Sequence, residues 1–548
     1  EAEGRTYKVT ISAIKVLVND VVATQSVNQS AFSTFTGELD VIGGKLSVAS
    51  ALGSADDGID ATSTVGSSAG AASEDVSISL AADITVNTAK ANSISTNKAY
   101  VTGAGSASTV YNVGSADVKA TTYSGSTATA KSAFGITLGV IVGDLKAEAL
   151  SSDFVSADVS GLKLIATNDV DIEGYVKASV NGEIVDPGGI GTINVTTMKA
   201  YANLGTSDSD QTANASVGSN AIITSTNGSI NVKAENYGDA EGKVKGGTSF
   251  SLITSTVDVE FASNVNLATD ATIGDGAKLN AAKGITVKAT SKPETVSNAQ
   301  SNALSLTVAV DKTHSYADTT TSTNASIGAG AELFAGQSIE VIARGNVKQQ
   351  TITGADSKGV WVGKGFIEAY NYVDRTVSAT VGTGAKIVSN SEYAITIKAV
   401  AGDDDYITNQ SIVSAGALVG IANVLTHADI DSNATTTIGA GATIENTFGT
   451  INIISDNSMK YFYNLASADA RGLGVDPDAE TDTFVNMQGN VFVGDAAGAK
   501  AYITGRYVTI ESLSSTLKLI DKTYTYGEGV GAGLRAYTDT LTNIDNAT

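Results

Sequence analysis

Ala379-Thr380-Val381-Gly382-Thr383-Gly384-Ala385-Lys386-Ile387 is a phrase this chain writes again and again. It returns as Ala215-Ser216-Val217-Gly218, Ala271-Thr272-Ile273-Gly274, Ala325-Ser326-Ile327-Gly328, Thr436-Thr437-Ile438-Gly439 and Val491-Phe492-Val493-Gly494. The marker glycines from Gly218 to Gly494 are 56, 54, 54, 57 and 55 residues apart. A fixed period of that size is the mark of a repeat array, in which each unit packs only on its neighbours.

A second short strand follows each marker after 11 to 14 residues: Ile230-Asn231-Val232, Ile285-Thr286-Val287, Ile339-Glu340-Val341, Ile395-Thr396-Ile397, Ile451-Asn452-Ile453 and Val508-Thr509-Ile510. Turn residues such as Asn227-Gly228 and Lys283-Gly284 separate the two, and Gly and Asn tolerate the backbone a tight turn needs. A polar segment, a small-residue apolar run such as Leu304-Ser305-Leu306-Thr307-Val308, and an alternating stretch lead on to the next marker. The pattern predicts four to six strands of 4–7 residues in each repeat.

Working outward, the N-terminal 200 residues alternate without the strict period, as in Val76-Ser77-Ile78-Ser79-Leu80. Connectors such as Gly53-Ser54-Ala55-Asp56-Asp57-Gly58 read as exposed loops. The expected organisation is degenerate repeats with loop insertions over 1–200 and regular repeats over 201–548. The expected fold class is all-β: a parallel β-solenoid, each repeat making two or three coils of roughly 20–25 residues. The alternative is a β-propeller, whose blades carry recurrent large aromatics; this chain has one tryptophan, Trp361, and aromatics make up 6% of it.

Composition narrows the partners. The 548 residues include 57 glycines, 3 prolines and no cysteine, and the net charge is −23. Nucleic acid and anionic membranes need clustered Lys and Arg, so the acidic balance disfavours both. Thiol chemistry and cysteine-ligated zinc are excluded. The most apolar runs, 134–142 and 415–425, are too short to cross a membrane as helices. The chain starts at Glu1 without a signal peptide, which suggests a processed product. Neither end shows a polar cap, so the chain is expected to continue or to stack end to end on another molecule.

No catalytic, cofactor or metal site is expected, although several groups qualify as candidates. His314 and His427 lie in polar stretches and read as surface residues. Asp403-Asp404-Asp405, Asp56-Asp57 with Asp60, and Asp476, Asp478, Glu480 and Asp482 offer oxygen ligands but lack calcium-loop spacing, and they read as solvated loops. Carboxylate pairs for glycoside cleavage can form across coils, where chain spacing does not reveal them. Asn28, Asn194, Asn214, Asn227, Asn324, Asn409, Asn433 and Asn546 begin N-x-S/T triplets and are acceptors only in a glycosylating cell.

The A-[ST]-[VI]-G-x-G-A-x-[IL] marker with its following G-x-[IV]-x-[VI]-x-A strand, clearest over 271–289 and 379–399, resembles the repeats of very large bacterial surface adhesins. These are the leukotoxin-type and filamentous-haemagglutinin-like adhesins, and the resemblance covers about residues 200–548. It implies a right-handed β-helical fibre, extracellular and acting in attachment to a host or neighbouring cell or a glycan. The N-terminal secretion domain usual in such adhesins is not recognisable here. The expected function is therefore a structural or adhesive element, not an enzyme. The alternative is a carbohydrate-active β-helix enzyme of polysaccharide lyase-like shape. A calcium-stiffened spacer is a third reading.

Overall fold

The computed structural model describes residues 9–34, 36–52, 59–62, 76–106, 108–132, 134–206, 209–494, 500–514 and 518–547. Every helix or strand among them is a strand, and every pair of those strands is parallel. The one antiparallel contact is an isolated bridge, Thr206 to Ser209. Propeller blades are antiparallel, so the alternative architecture does not fit.

Each strand pairs with the equivalent strand one full repeat away. Ile230 faces Ile285, which faces Ile339, then Ile395, Ile451 and Val508. The β-helix-like path therefore closes once per repeat, not two or three times. From Gln211 onward the offset between partners stays between 54 and 59 residues. Among the first strands it runs from 53 (Val110 to Lys163) to 72 (Gly37 to Thr109).

One coil has two long sides and a short base, in place of the expected set of short strands. Ile285–Ser305 runs out, Leu306 and Thr307 turn, Val308–Ile327 runs back, and Glu332–Ala335 forms the base. Twenty residues of strand span about 66 Å, so the coil is a flat blade. Burial alternates residue by residue along both long sides, putting one face inside.

The interior is zoned. Near the base it is apolar: Ile285, Val287, Ala325, Ile327, Ala331 and Leu333 join one buried cluster that continues from coil to coil. Along the blade of this coil it turns to small polar side chains that bridge the two sheets, whereas coils on either side keep apolar clusters there, such as Val257, Phe261 and Leu267 or Ile407, Ile430 and Phe462. Thr295 Oγ1 meets Thr319 Oγ1 at 2.8 Å, and Ser301 Oγ meets Thr313 Oγ1 at 3.0 Å. Satisfied hydroxyls avoid the cost of a buried unpaired polar group.

The two glycines of the recurring phrase have different jobs. A Cβ on Gly382 would lie 2.7 Å from the backbone N of Ala329 in the coil beneath, and Gly274, Gly328 and Gly439 are equally tight against theirs. Two residues on, Gly276, Gly330, Gly384 and Gly441 have φ between 63° and 71°, and the first regular repeat has Asn220 there at 58°. The turn closes when the Ala385 N–H donates to the Gly382 carbonyl at 3.2 Å. A positive φ at its third position is what favours Gly or Asn there.

Gly384→Asn is accordingly expected to change stability by no more than about 0.5 kcal/mol, because open space surrounds that position. Gly382→Asn is expected to cost about 2–3 kcal/mol by wedging two coils apart. Thermal melts of the two variants check this, and equal losses would contradict the assignment.

Candidate functional site: an outer face bearing both histidines

Because one coil is one repeat, residues about 55 apart become neighbours. On the outer face of the returning sheet, Lys199, Glu260, His314, Glu368, Leu425 and Glu480 fall into one file along the stack. Two positions further along the strand, Tyr201, Ala262, Tyr316, Tyr370, His427 and Asp482 form a second file. Alternation sends both files outward because their even-numbered spacing shares one face of the strand.

The contacts run along the files. Lys199 Nζ reaches Glu260 Oε2 at 2.8 Å, and the Tyr201 hydroxyl donates to Glu260 Oε1 at 2.8 Å. His314 Nδ1 lies 3.1 Å from Glu368 Oε2, and His427 Nδ1 lies 3.0 Å from Asp482 Oδ2. Tyr316 stacks on Tyr370 with centroids 5.2 Å apart, and Tyr370 on Tyr372 at 6.2 Å. The His427 ring is about 6 Å from both Tyr370 and Tyr372. The two histidines, 113 residues apart in sequence, thus flank one tyrosine cluster.

Partial burial raises the Glu260 carboxyl, but Lys199 and the Tyr201 hydroxyl outweigh it and hold the group below its ordinary range. Burial first, then the Glu260 and Glu368 carboxylates, push the Tyr201 and Tyr370 phenols upward. At neutral pH the phenols keep their protons and act as hydrogen-bond donors, not nucleophiles. Neither imidazole has a serine hydroxyl among its hydrogen-bond partners, so no Ser-His-Asp relay forms here. The face offers donors, acceptors and ring edges to a bound partner.

The other candidates fall elsewhere. Asp403, Asp404 and Asp405 all have cations from the protein itself: Arg344 at 3.3 Å, Lys460 at 2.9 Å and Arg375 at 2.6 Å. The expectation of three solvated aspartates fails for Asp405, which is buried. Asp476, Asp478, Glu480 and Asp482 share one outer face of the strand Gly474–Val493, with Arg535 3.6 Å from the first two. Asp56 and Asp57 lie outside the described residues, and Asp60 falls in the strand Ile59–Thr62. Among the described residues no group of three or more acidic or histidine side chains could hold a metal ion.

Of the glycosylation triplets, Asn28, Asn227 and Asn546 are exposed, whereas Asn214, Asn324 and Asn433 are half-buried. Asn194 and Asn409 are inside and cannot accept a glycan in the folded chain. No helix among the described residues is long and apolar enough to cross a membrane.

The file that carries the histidines was missed by local reading. Adding one period to Glu260 gives His314, and another gives Glu368, so the repeat length itself was the available signal. Comparison of the chain with protein-family models, with curated proteins and with solved structures gave no match.

Proposed function

We propose that this chain is a parallel β-solenoid with one coil per repeat, serving as a mechanical element of an extracellular, cell-surface fibre. The observation that supports this most is the parallel pairing that continues, with only local register shifts, from the first described strand to the last. Hydrogen bonds between parallel strands are slanted but evenly spaced and link each coil to the next, so some forty strand residues per coil share an axial load.

Extension past either end fits the edges of the stack. The last strands, Tyr502–Leu513, Leu519–Glu528 and Arg535–Ala547, are each paired on one side only among the described residues. Val508, Leu541 and Ile544 are exposed there, as are Ile14, Val16 and Val18 on the first strand. Open parallel edges with apolar side chains take up another coil, from a longer chain or from a second molecule. The tyrosine–histidine face supplies the adhesive surface.

Electron microscopy of native material at near-atomic resolution tests the reading. The expected result is an elongating stack with an axial spacing of about 4.8 Å and a blade about 66 Å wide. A compact particle that neither extends nor assembles at any concentration would falsify it.

One observation supports a second reading, a carbohydrate-active β-helix enzyme: imidazole, phenol and carboxylate groups converge on one face. Incubation with neutral and acidic polysaccharides separates the two. Cleavage lost in both His314→Ala and His427→Ala promotes the enzyme, and intact polysaccharide in every case removes it.

A further inference from the structure

At the end of the blade opposite the base, most coils turn through large apolar residues in solvent, the exception being the coil that turns at Gly191-Thr192. The sequence of turns includes Leu138, Leu252, Leu306, Trp361, Leu473 and Val530, exposed by between 46% and 89%. The turns are in register along the stack: Leu306 N–H donates to Ser251 O, Trp361 to Thr307 O, Leu473 to Leu418 O and Val530 to Leu473 O, all at 3.0–3.1 Å. From Leu252 to Val530 they form a ridge about 24 Å long over six successive coils at ~4.8 Å each, with Leu138 beyond it. Of the two apolar runs of the sequence, 415–425 lies on the ridge and 134–142 at the turn of Leu138.

Folding does not require this composition. The turn at the base of the same coils uses glycine, asparagine and small residues, as exposed turns do. A line of solvated leucine, valine and tryptophan over six successive coils marks an interaction surface.

We propose that this ridge is a lateral docking edge for a second copy of the chain, the two blades meeting tip to tip. Three features select that occupant. The ridge repeats at the coil spacing, and another stack of the same coils offers the same pitch over the whole length. Its flanks alternate in sign, with Lys358, Lys364 and Arg471 beside Asp356, Asp469 and Asp476, so two copies meet without the repulsion of their acidic broad faces. That mixture also lacks the cationic cluster an anionic lipid surface requires. Side chains of this size and exposure bury on the order of 1,000 Å² when two ridges meet, the lower bound for a stable interface.

The chain has no cysteine, so single-cysteine variants report the contact cleanly. Leu306→Cys, near the middle of the ridge, is expected to give a disulfide-linked dimer on mild oxidation, whereas Thr437→Cys on the broad face gives none. End-to-end stacking leaves the two Leu306 positions far apart, so it does not mimic this result. Sedimentation of the wild type should show a concentration-dependent dimer. Combined Val360→Ser, Trp361→Ser and Leu418→Ser should weaken it at least tenfold with the strand circular dichroism unchanged. A wild type monomeric at about 100 µM, a dimer indifferent to the triple variant, or a monomer whose Trp361 fluorescence shifts only with neutral lipid vesicles each overturns the proposal; the last assigns the ridge to lipid.

Discussion

Arg375→Ala is expected to lower stability by about 3–5 kcal/mol, the range for removing one partner of a buried ion pair. Arg375 is the largest side chain fully enclosed in the blade. Its Nη1 reaches both oxygens of Asp405, at 2.8 and 2.6 Å, while Nε and Nη2 donate to Ser432 Oγ at 3.1 and 2.8 Å. Ser432 passes the chain of bonds to Asn457 Oδ1 at 2.7 Å, and Asn457 donates to the Gln488 carbonyl at 2.8 Å. The Val347 N–H also ends on Asp405, at 2.7 Å. Alanine leaves Asp405 buried with that amide alone, and burial then drives the carboxyl upward against only the Val347 N–H.

Because coils interact with nearest neighbours, the damage should be local. Hydrogen exchange is expected to speed up over residues 345–488 well before the first coils respond. Arg375→Met combined with Asp405→Leu should recover most of the loss, since an apolar pair of similar volume is often no worse than a buried ion pair. A single variant within about 0.5 kcal/mol of wild type would show that the pair contributes little.

Acid should strengthen this protein. Burial pushes the Asp311 carboxyl up to about 7, only partly offset by the Ser301 hydroxyl at 2.6 Å and the Asp356 backbone N–H. No cation compensates it, unlike Asp405. In the unfolded chain the same group loses its proton near pH ~3.9. Between those values the folded state binds the extra proton, so this contribution is fully present below about pH 4 and lost as pH rises through about 7. The swing is about 4 kcal/mol. Asp153, held by the hydroxyls of Ser95, Ser124 and Ser151, and Asp186, held by Ser132 and the Gly188 N–H, are raised by burial and act in the same direction.

Surface carboxylates also repel one another less in acid, so the wild type alone is ambiguous. Asp311→Asn isolates the group. Its urea midpoint should exceed that of the wild type at pH 8 and converge with it near pH 4. Parallel pH curves for the two proteins would refute the role given to Asp311.

The period, the parallel strands and the small-residue interior were all legible in the sequence, since Gly382 and its equivalents recur at a fixed spacing and no large aromatic recurs with them. The coil length was not. In the coil that begins at Ile285 the long strands were read as short because the inner face along the blade is Ser291, Thr295, Ser297 and Ser301, which do not register as a buried stripe. Hydroxyls satisfied across the gap replaced the apolar signal. Asp405 was misread for a related reason: its partner Arg375 is 30 residues back, and only the neighbouring coil brings them together. Likewise His314 and His427 looked solitary because their partners, Glu368 and Asp482, stand one period away.

A turn that closes once in some 55 residues has an unusual metric consequence. The chain gains only ~4.8 Å in height for each circuit, so the described residues rise about 45 Å from the first strand to the last, less than the blade is wide. The molecule is a plank laid crosswise, and height is the dimension it yields most slowly. Gene duplication of one repeat would add a single thin course to this masonry, leaving every bond above and below in register. Breadth is set by the length of one repeat and height by the number of repeats, so the two dimensions of this molecule are written separately in its sequence.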